Sequence, residues 1–222
     1  MKTATDKNFM DMVNHEMICH FPYAVLSVAL SMIAAGILGY SSVDPIPGVV
    51  DKGAMVLFHS CHFLHIVFAA TGAVLTFFRY SNEVLKGLIV GAVSAIVFCI
   101  LSDVILPYLV GEMMGIPMEL HICFLSELSN VLPFLLVGVF NGWLLSQNKS
   151  GQQSFFSIWS HFAHIFVSAL ASMLYTISHG MHDWYNYMGI LFILLIVAVV
   201  IPCTLSDVVV PAYFARMGRK QK

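Results

Sequence analysis

The chain is short of charge. Lysine, arginine, aspartate and glutamate make up 10% of its 222 residues, where a soluble domain needs about 25% to cover its surface. The same shortage speaks against a nucleic-acid binder. Ten basic residues against 12 acidic ones leave a formal net charge of −2, and no basic stripe interleaved with aromatics occurs. A glycine-rich phosphate-cradling loop is also missing, so the sequence holds no nucleotide motif with which to draw energy from ATP. The five cysteines, Cys19, Cys61, Cys99, Cys123 and Cys203, are odd in number and include no C-x-x-C. That pattern points away from a disulfide framework and towards small buried hydrophobes, with Cys61 set apart because it lies between His59 and His62.

Apolar sequence fills the gap. Hydrophobic residues make up 59% of the chain, and the mean hydropathy is +0.86. Six apolar stretches, 20–40, 56–78, 87–110, 121–145, 155–177 and 187–212, are each about as long as a helix needs to be to cross the bilayer hydrocarbon. The fold expected is an all-α integral membrane protein of six transmembrane helices. The opening MKTATDKNFMDMVNHEM is too polar and too long for the start of a cleavable signal peptide, so the first span is expected to remain as an anchor. If the N-terminus is cytoplasmic, Lys2, Lys7, Arg79, Lys86, Lys149, Arg216, Arg219, Lys220 and Lys222 fall inside and Lys52 alone falls outside. That bias predicts both termini in the cytoplasm, in a plasma (bacterial inner) membrane.

The chain repeats itself. His62-Phe-Leu-His-Ile66 recurs as His161-Phe-Ala-His-Ile165, and Leu101-Ser-Asp-Val-Ile-Leu-Pro107 as Leu205-Ser-Asp-Val-Val-Val-Pro211; Ile18-Cys19 more weakly matches Ile122-Cys123. The division expected is a cytoplasmic N-terminal segment 1–14, a three-helix repeat 15–116, a second repeat 117–215 and a basic tail 216–222. An odd number of spans per repeat turns the second copy over. The result is a 3+3 inverted-topology repeat, an architecture that recurs in transporters with a site between the halves.

Ionisable side chains inside a bilayer are costly and usually serve a site. By position along the spans, His59, His62, His65, Asp103, His121 and Glu127 are expected at an outer level. His20, His161, His164 and Asp207, with His15, are expected at an inner one. Residues i and i+3 share a helix face, so His62/His65 and His161/His164 can each offer two imidazoles to one point. A nearby carboxylate can complete or orient such a metal site. Pro107 and Pro211 lack the N–H that would bond the carbonyl four residues earlier, which predicts freed carbonyls at Asp103 and Asp207. Three lesser expectations are exposed loop histidines at His179 and His182, interfacial aromatics such as Tyr108, Trp143, Trp184, Tyr185 and Tyr187, and close helix contacts at Gly36, Gly39, Gly87 and Gly91.

The function expected is transport of a cation, foremost a divalent transition metal (Zn, Fe, Mn or Co), with protons competing for the same imidazoles. The first alternative is an intramembrane haem b or metal-dependent oxidoreductase. Its facing pairs would be His62 or His65 with His121, and His20 with His161 or His164. The second is the substrate-binding membrane subunit of a larger transporter. The partners expected are the lipid bilayer and a metal ion or proton, with a homo-oligomer or an energising subunit besides, and no nucleic acid.

Overall fold

The computed structural model describes residues 4–40, 49–147 and 153–217. The segment 41–48 of the first loop, residues 148–152 of the linker between halves and the end of the basic tail lie outside them. The described residues are all-helical, 90% helix with no strand. They contain six helices long and apolar enough to cross a membrane: Phe9–Gly39, Lys52–Tyr80, Val84–Met113, Leu128–Gln147, His161–Ser178 and Trp184–Met217.

In chain order, α1 is Ala4–Tyr40, α2 Val49–Tyr80, α3 Val84–Ile100, α4 Leu106–Met113, α5 Cys123–Ser126, α6 Leu128–Gln147, α7 Gln153–Ser178, α8 Met188–Thr204 and α9 Val210–Met217. A π-helical turn, Leu101–Ile105, joins α3 to α4, and a second, Leu205–Val209, joins α8 to α9. Both fall on the repeated Leu-Ser-Asp sequence. In each the closing N–H reaches back five residues, Leu106 to the carbonyl of Leu101 and Val210 to that of Leu205. The extra residue shifts the register of the proline that follows. Accordingly the carbonyls that accept side-chain donors are those of Ser102, from Ser172 Oγ at 3.0 Å, and Ser206, from Ser94 Oγ at 2.9 Å. The expectation had placed these freed carbonyls one residue later, on Asp103 and Asp207, because it assumed α-helical spacing.

The fourth span also differs. It was expected from residue 121, but α6 starts at Leu128. Residues 116–122 are irregular, α5 is a single turn, and Glu127 breaks the helix at φ −133°, ψ 37°. His121 and Glu127 therefore sit on the approach to the span and not two turns apart along it.

Helix α2 is central and packs against α3, α6, α7 and α9, while α1 covers α7 and α8. Close approach on α2 depends on glycine. A methyl added to Gly138 or Gly142 of α6 would lie 2.7 Å from the α2 carbonyl oxygens of Val67 and Thr71, respectively. The Thr71 hydroxyl bonds the Gly138 carbonyl across this seam at 3.0 Å, the small-residue packing with a polar tie that apolar surroundings favour. Gly87 and Gly91 of α3 likewise leave room for Phe77 and Val74 of α2, whereas Gly36 and Gly39 have no described atom within 4 Å of an added methyl. The outside of the bundle is apolar, with Ile33, Ile37, Leu85, Leu136, Phe140 and Ile193 exposed. The inside holds buried Ser27, Ser94, Ser102, Ser168, Ser172 and Ser206 beside histidine and aspartate.

Candidate functional site

Helix α2 presents His62 and His65 one turn apart, and the first π-helical turn carries Asp103 to them. Both imidazoles place Nδ1 on the same oxygen, Asp103 Oδ2, at 2.8 and 2.7 Å. The other oxygen, Oδ1, accepts the hydroxyls of Ser102 at 2.6 Å and Ser168 at 3.0 Å. Asp103 is thus fully buried with a donor for each of four lone-pair positions, the condition under which a buried carboxylate is tolerated. From His65 the chain crosses to α7: His65 Nε2 and His164 Nε2 are 2.8 Å apart. His164 Nδ1 then meets Asp207 Oδ2 at 2.6 Å.

The halves are not alike at their carboxylates. Asp207 Oδ1, Ser206 Oγ and His62 Nε2 have no hydrogen-bond partner among the described residues. Gly72 of α2 backs directly onto Asp207, where an added methyl would lie 2.9 Å from Oδ2.

This network has a proton requirement. If His65 and His164 each donate Nδ1–H to an aspartate, their Nε2 lone pairs face one another. At 2.8 Å that is the spacing of an N–H···N hydrogen bond, so one proton lies between them. Cys203 completes the group. Its Sγ is 3.8 Å from His65 Nε2 and 3.6 Å from Ser168 Oγ, and His65, His164 and Cys203 bring one donor atom each within 4.8 Å of one another. Two imidazoles and a thiol, each ring held at its far nitrogen by a carboxylate, form a donor set suited to a borderline divalent cation.

Two further groups flank the centre. Near the N-terminal end of α2, His59 Nε2 lies 3.4 Å from His121 Nε2, and Glu127 Oε1 lies 3.2 Å from the first and 3.6 Å from the second. Cys123 Sγ falls within 4.8 Å of both histidines. Burial, with the Glu127 charge adding to it, pushes the Cys123 thiol up to about 12. Beside this group His179 is buried, contrary to the exposed loop position expected of it. Its Nδ1 donates to the Tyr175 carbonyl at 3.1 Å, and its ring stacks on Tyr175 with centroids 4.1 Å apart. Burial holds the imidazole below its ordinary value. Towards the other end, the Nε2 atoms of His161 and His20 are in contact, and His20 Nδ1 bonds the Glu16 carbonyl at 2.6 Å. His15 bonds Cys19 on an exposed face.

Of the eleven histidine and carboxylate positions expected at the two levels, ten fall in these groups and His15 lies apart on its exposed face, and the ten do not form two separate levels. His62, His65, Asp103, His164 and Asp207 form one connected chain. His59, His121 and Glu127 gather at one end of it, and His20 and His161 meet towards the other. Of the facing pairs considered for haem, His20 meets His161, while His121 stands against His59. Cys123 and Cys203, plain hydrophobes by their sequence context, each join a donor group. The signal that reveals Cys203 is present in the repeat: Cys99-Ile-Leu-Ser-Asp103 matches Cys203-Thr-Leu-Ser-Asp207, one helical turn ahead of each aspartate.

No protein-family model, no curated protein and no solved structure matches this chain.

Proposed function

We propose that the protein is a membrane carrier for a divalent transition-metal cation, with His65, His164 and Cys203 as its central binding site and protons as the competing occupant. The observation that carries this reading is the buried chain Asp103–His65–His164–Asp207, which links α2 to α7 through four titratable groups at 2.6–2.8 Å. Two carboxylates behind two imidazoles balance a divalent charge where the dielectric is low. The thiol narrows the expected ions to those that accept sulfur, Zn²⁺ foremost and Co²⁺ and Fe²⁺ after it, over Mn²⁺.

Metal and proton exclude one another at this pair, because each needs the Nε2 lone pairs. Nitrogens bound tetrahedrally to zinc at about 2.0–2.1 Å stand roughly 3.3 Å apart, so the rings must part by about half an ångström when the ion replaces the proton. The exchange also balances in charge: one M²⁺ enters as the proton between the rings and the Cys203 thiol proton leave. In this reading the donor groups at three points along the bundle serve as successive stations for the ion. A plasma-membrane location with both termini in the cytoplasm, and an inverted relation between the halves, belong to the same proposal.

The test is zinc uptake into proteoliposomes that hold a metal-sensitive dye, under an imposed pH gradient. The proposal expects uptake that follows the gradient and falls to the level of empty vesicles in His65→Ala and His164→Ala. Uptake equal to that of empty vesicles for the natural sequence, or unchanged in both variants, overturns it.

A further inference from the structure

A second cluster of donor side chains lies where the N-terminal third of α2 meets the segment that precedes α6. We infer that His59, His121, Cys123 and Glu127 bind one borderline divalent cation there, in a two-nitrogen, one-sulfur, one-oxygen shell that pins the 119–127 segment across the helix. The site is separate from the central triad and does not depend on the carrier reading.

Spacing is the first argument. The Nε2 atoms of His59 and His121 are 3.4 Å apart, close to the roughly 3.3 Å that two nitrogens adopt on one tetrahedral zinc ion. The central pair, at 2.8 Å, must widen to take an ion; this one already has the spacing. The second argument is convergence. Glu127 Oε1 faces both nitrogens at 3.2 and 3.6 Å, Ser126 Oγ reaches the His121 nitrogen at 3.4 Å, and the buried Cys123 is turned into the same space. A simple ion pair between Glu127 and His59 accounts for one of these contacts and leaves the others unexplained.

Local structure supplies the third. Three of the four donors come from 121–127, a stretch with extended Ile122, one turn of helix and a break at Glu127. So short a helix has little stability of its own. The segment is also tied by the Tyr175 hydroxyl, which donates to the Glu119 carbonyl at 2.9 Å and accepts the His121 N–H at 3.2 Å, by the Glu119 N–H on the His179 carbonyl at 2.9 Å, by Asn130 Nδ2 on Glu127 Oε2 at 3.2 Å, and by the packing of Ile122, Cys123 and Phe124. His179, with no partner on Nε2 among the described residues, stacks on the ring of His121 at 5.8 Å. Finally, the group is partly open at the surface of the bundle. The side chains of His59, His121 and Glu127 are 17%, 29% and 29% exposed, unlike the sealed central triad. Nitrogen and sulfur donors exclude Mg²⁺ and Ca²⁺ and favour Zn²⁺ or Co²⁺.

The experiment is equilibrium dialysis of the full chain in detergent against zinc, with metal counted per chain. The natural sequence is compared with His59→Ala/His121→Ala and with His65→Ala/His164→Ala. The inference expects the first double variant to lose one zinc relative to the natural sequence and to keep any that the centre holds. Glu127→Gln, a milder change, is expected to weaken that site by roughly ten- to a hundredfold. Limited proteolysis within 119–127 should slow on adding zinc to the natural sequence and not to the His59→Ala/His121→Ala variant. Equal zinc content in those two proteins, with no protection of 119–127, overturns the site. Loss of zinc only in the His59→Ala/His121→Ala variant supports it while removing the central reading, so the two failures are distinct.

Discussion

His65 and His164 meet nitrogen to nitrogen at 2.8 Å, and each turns its other nitrogen to a different aspartate. A side chain from the first half of the sequence and one from the second thus share one proton position, with a negative charge behind each. On the carrier reading it takes either a proton at hydrogen-bond spacing or a cation at a slightly wider one, and the groups that hold the rings in place govern both.

The two aspartates should respond differently to loss of charge. Asp103 accepts four donors, so Asp103→Asn must aim an amide N–H₂ at groups that themselves donate. A destabilisation of about 1–3 kcal/mol is expected from a conflict of that kind. Asp207→Asn can turn its amide to the side that has no partner among the described residues, so its stability should change less. Both variants should weaken zinc binding at the centre by roughly ten- to a hundredfold, the usual effect of losing a ligand's orienting carboxylate. Thermal unfolding in detergent and zinc titration check the two halves of this prediction separately.

Gly72 should tolerate no side chain. An added methyl lies 2.9 Å from Asp207 Oδ2, so Gly72→Ala must displace the carboxylate from His164. The expected result is a central site weakened about as much as by Asp207→Asn, with little further loss when the two changes are combined, since both act on one contact. Full additivity of the two effects on zinc affinity would show that Gly72 acts elsewhere.

The π-helical turns depend on serine hydroxyls from other segments. Ser172→Ala removes the hydroxyl that the Ser102 carbonyl at 3.0 Å shares with the Ser168 carbonyl at 2.9 Å, and Ser94→Ala removes the donor that the Ser206 carbonyl has at 2.9 Å. Each should cost about 1–3 kcal/mol, the range for stranding one buried polar group. Ser172→Ala should also loosen Asp103, because that aspartate is the next residue in the turn. Unfolding midpoints matching the natural protein in both variants would show the carbonyls to be satisfied in another way.

The duplicated His-Phe-x-His-Ile and Leu-Ser-Asp motifs were legible in the sequence because polar residues stand out against apolar runs, and because each occurs twice. Six apolar stretches likewise foretold six long helices. The join between His65 and His164 was not legible, since position along separate helices does not state where α2 and α7 approach each other. Nor were the π-helical turns: a proline announces a missing N–H, but not the extra residue that moves the accepting carbonyl from Asp103 to Ser102. The seam contacts of Gly138 and Gly142 and the place of Cys203 beside the paired histidines were not legible either. Each is an ordinary residue in an apolar helix until its neighbour is known.

The central claim, that His65, His164 and Cys203 take up a divalent ion, is tested most directly with cobalt in a His59→Ala/His121→Ala background, where the second group cannot contribute. The account predicts about one Co²⁺ per chain, with tetrahedral visible bands and a sulfur-to-cobalt charge-transfer band in the near ultraviolet. The charge-transfer band should disappear in Cys203→Ser, and both features in His164→Ala. A spectrum of fully hydrated cobalt, the same with and without the protein, would contradict it.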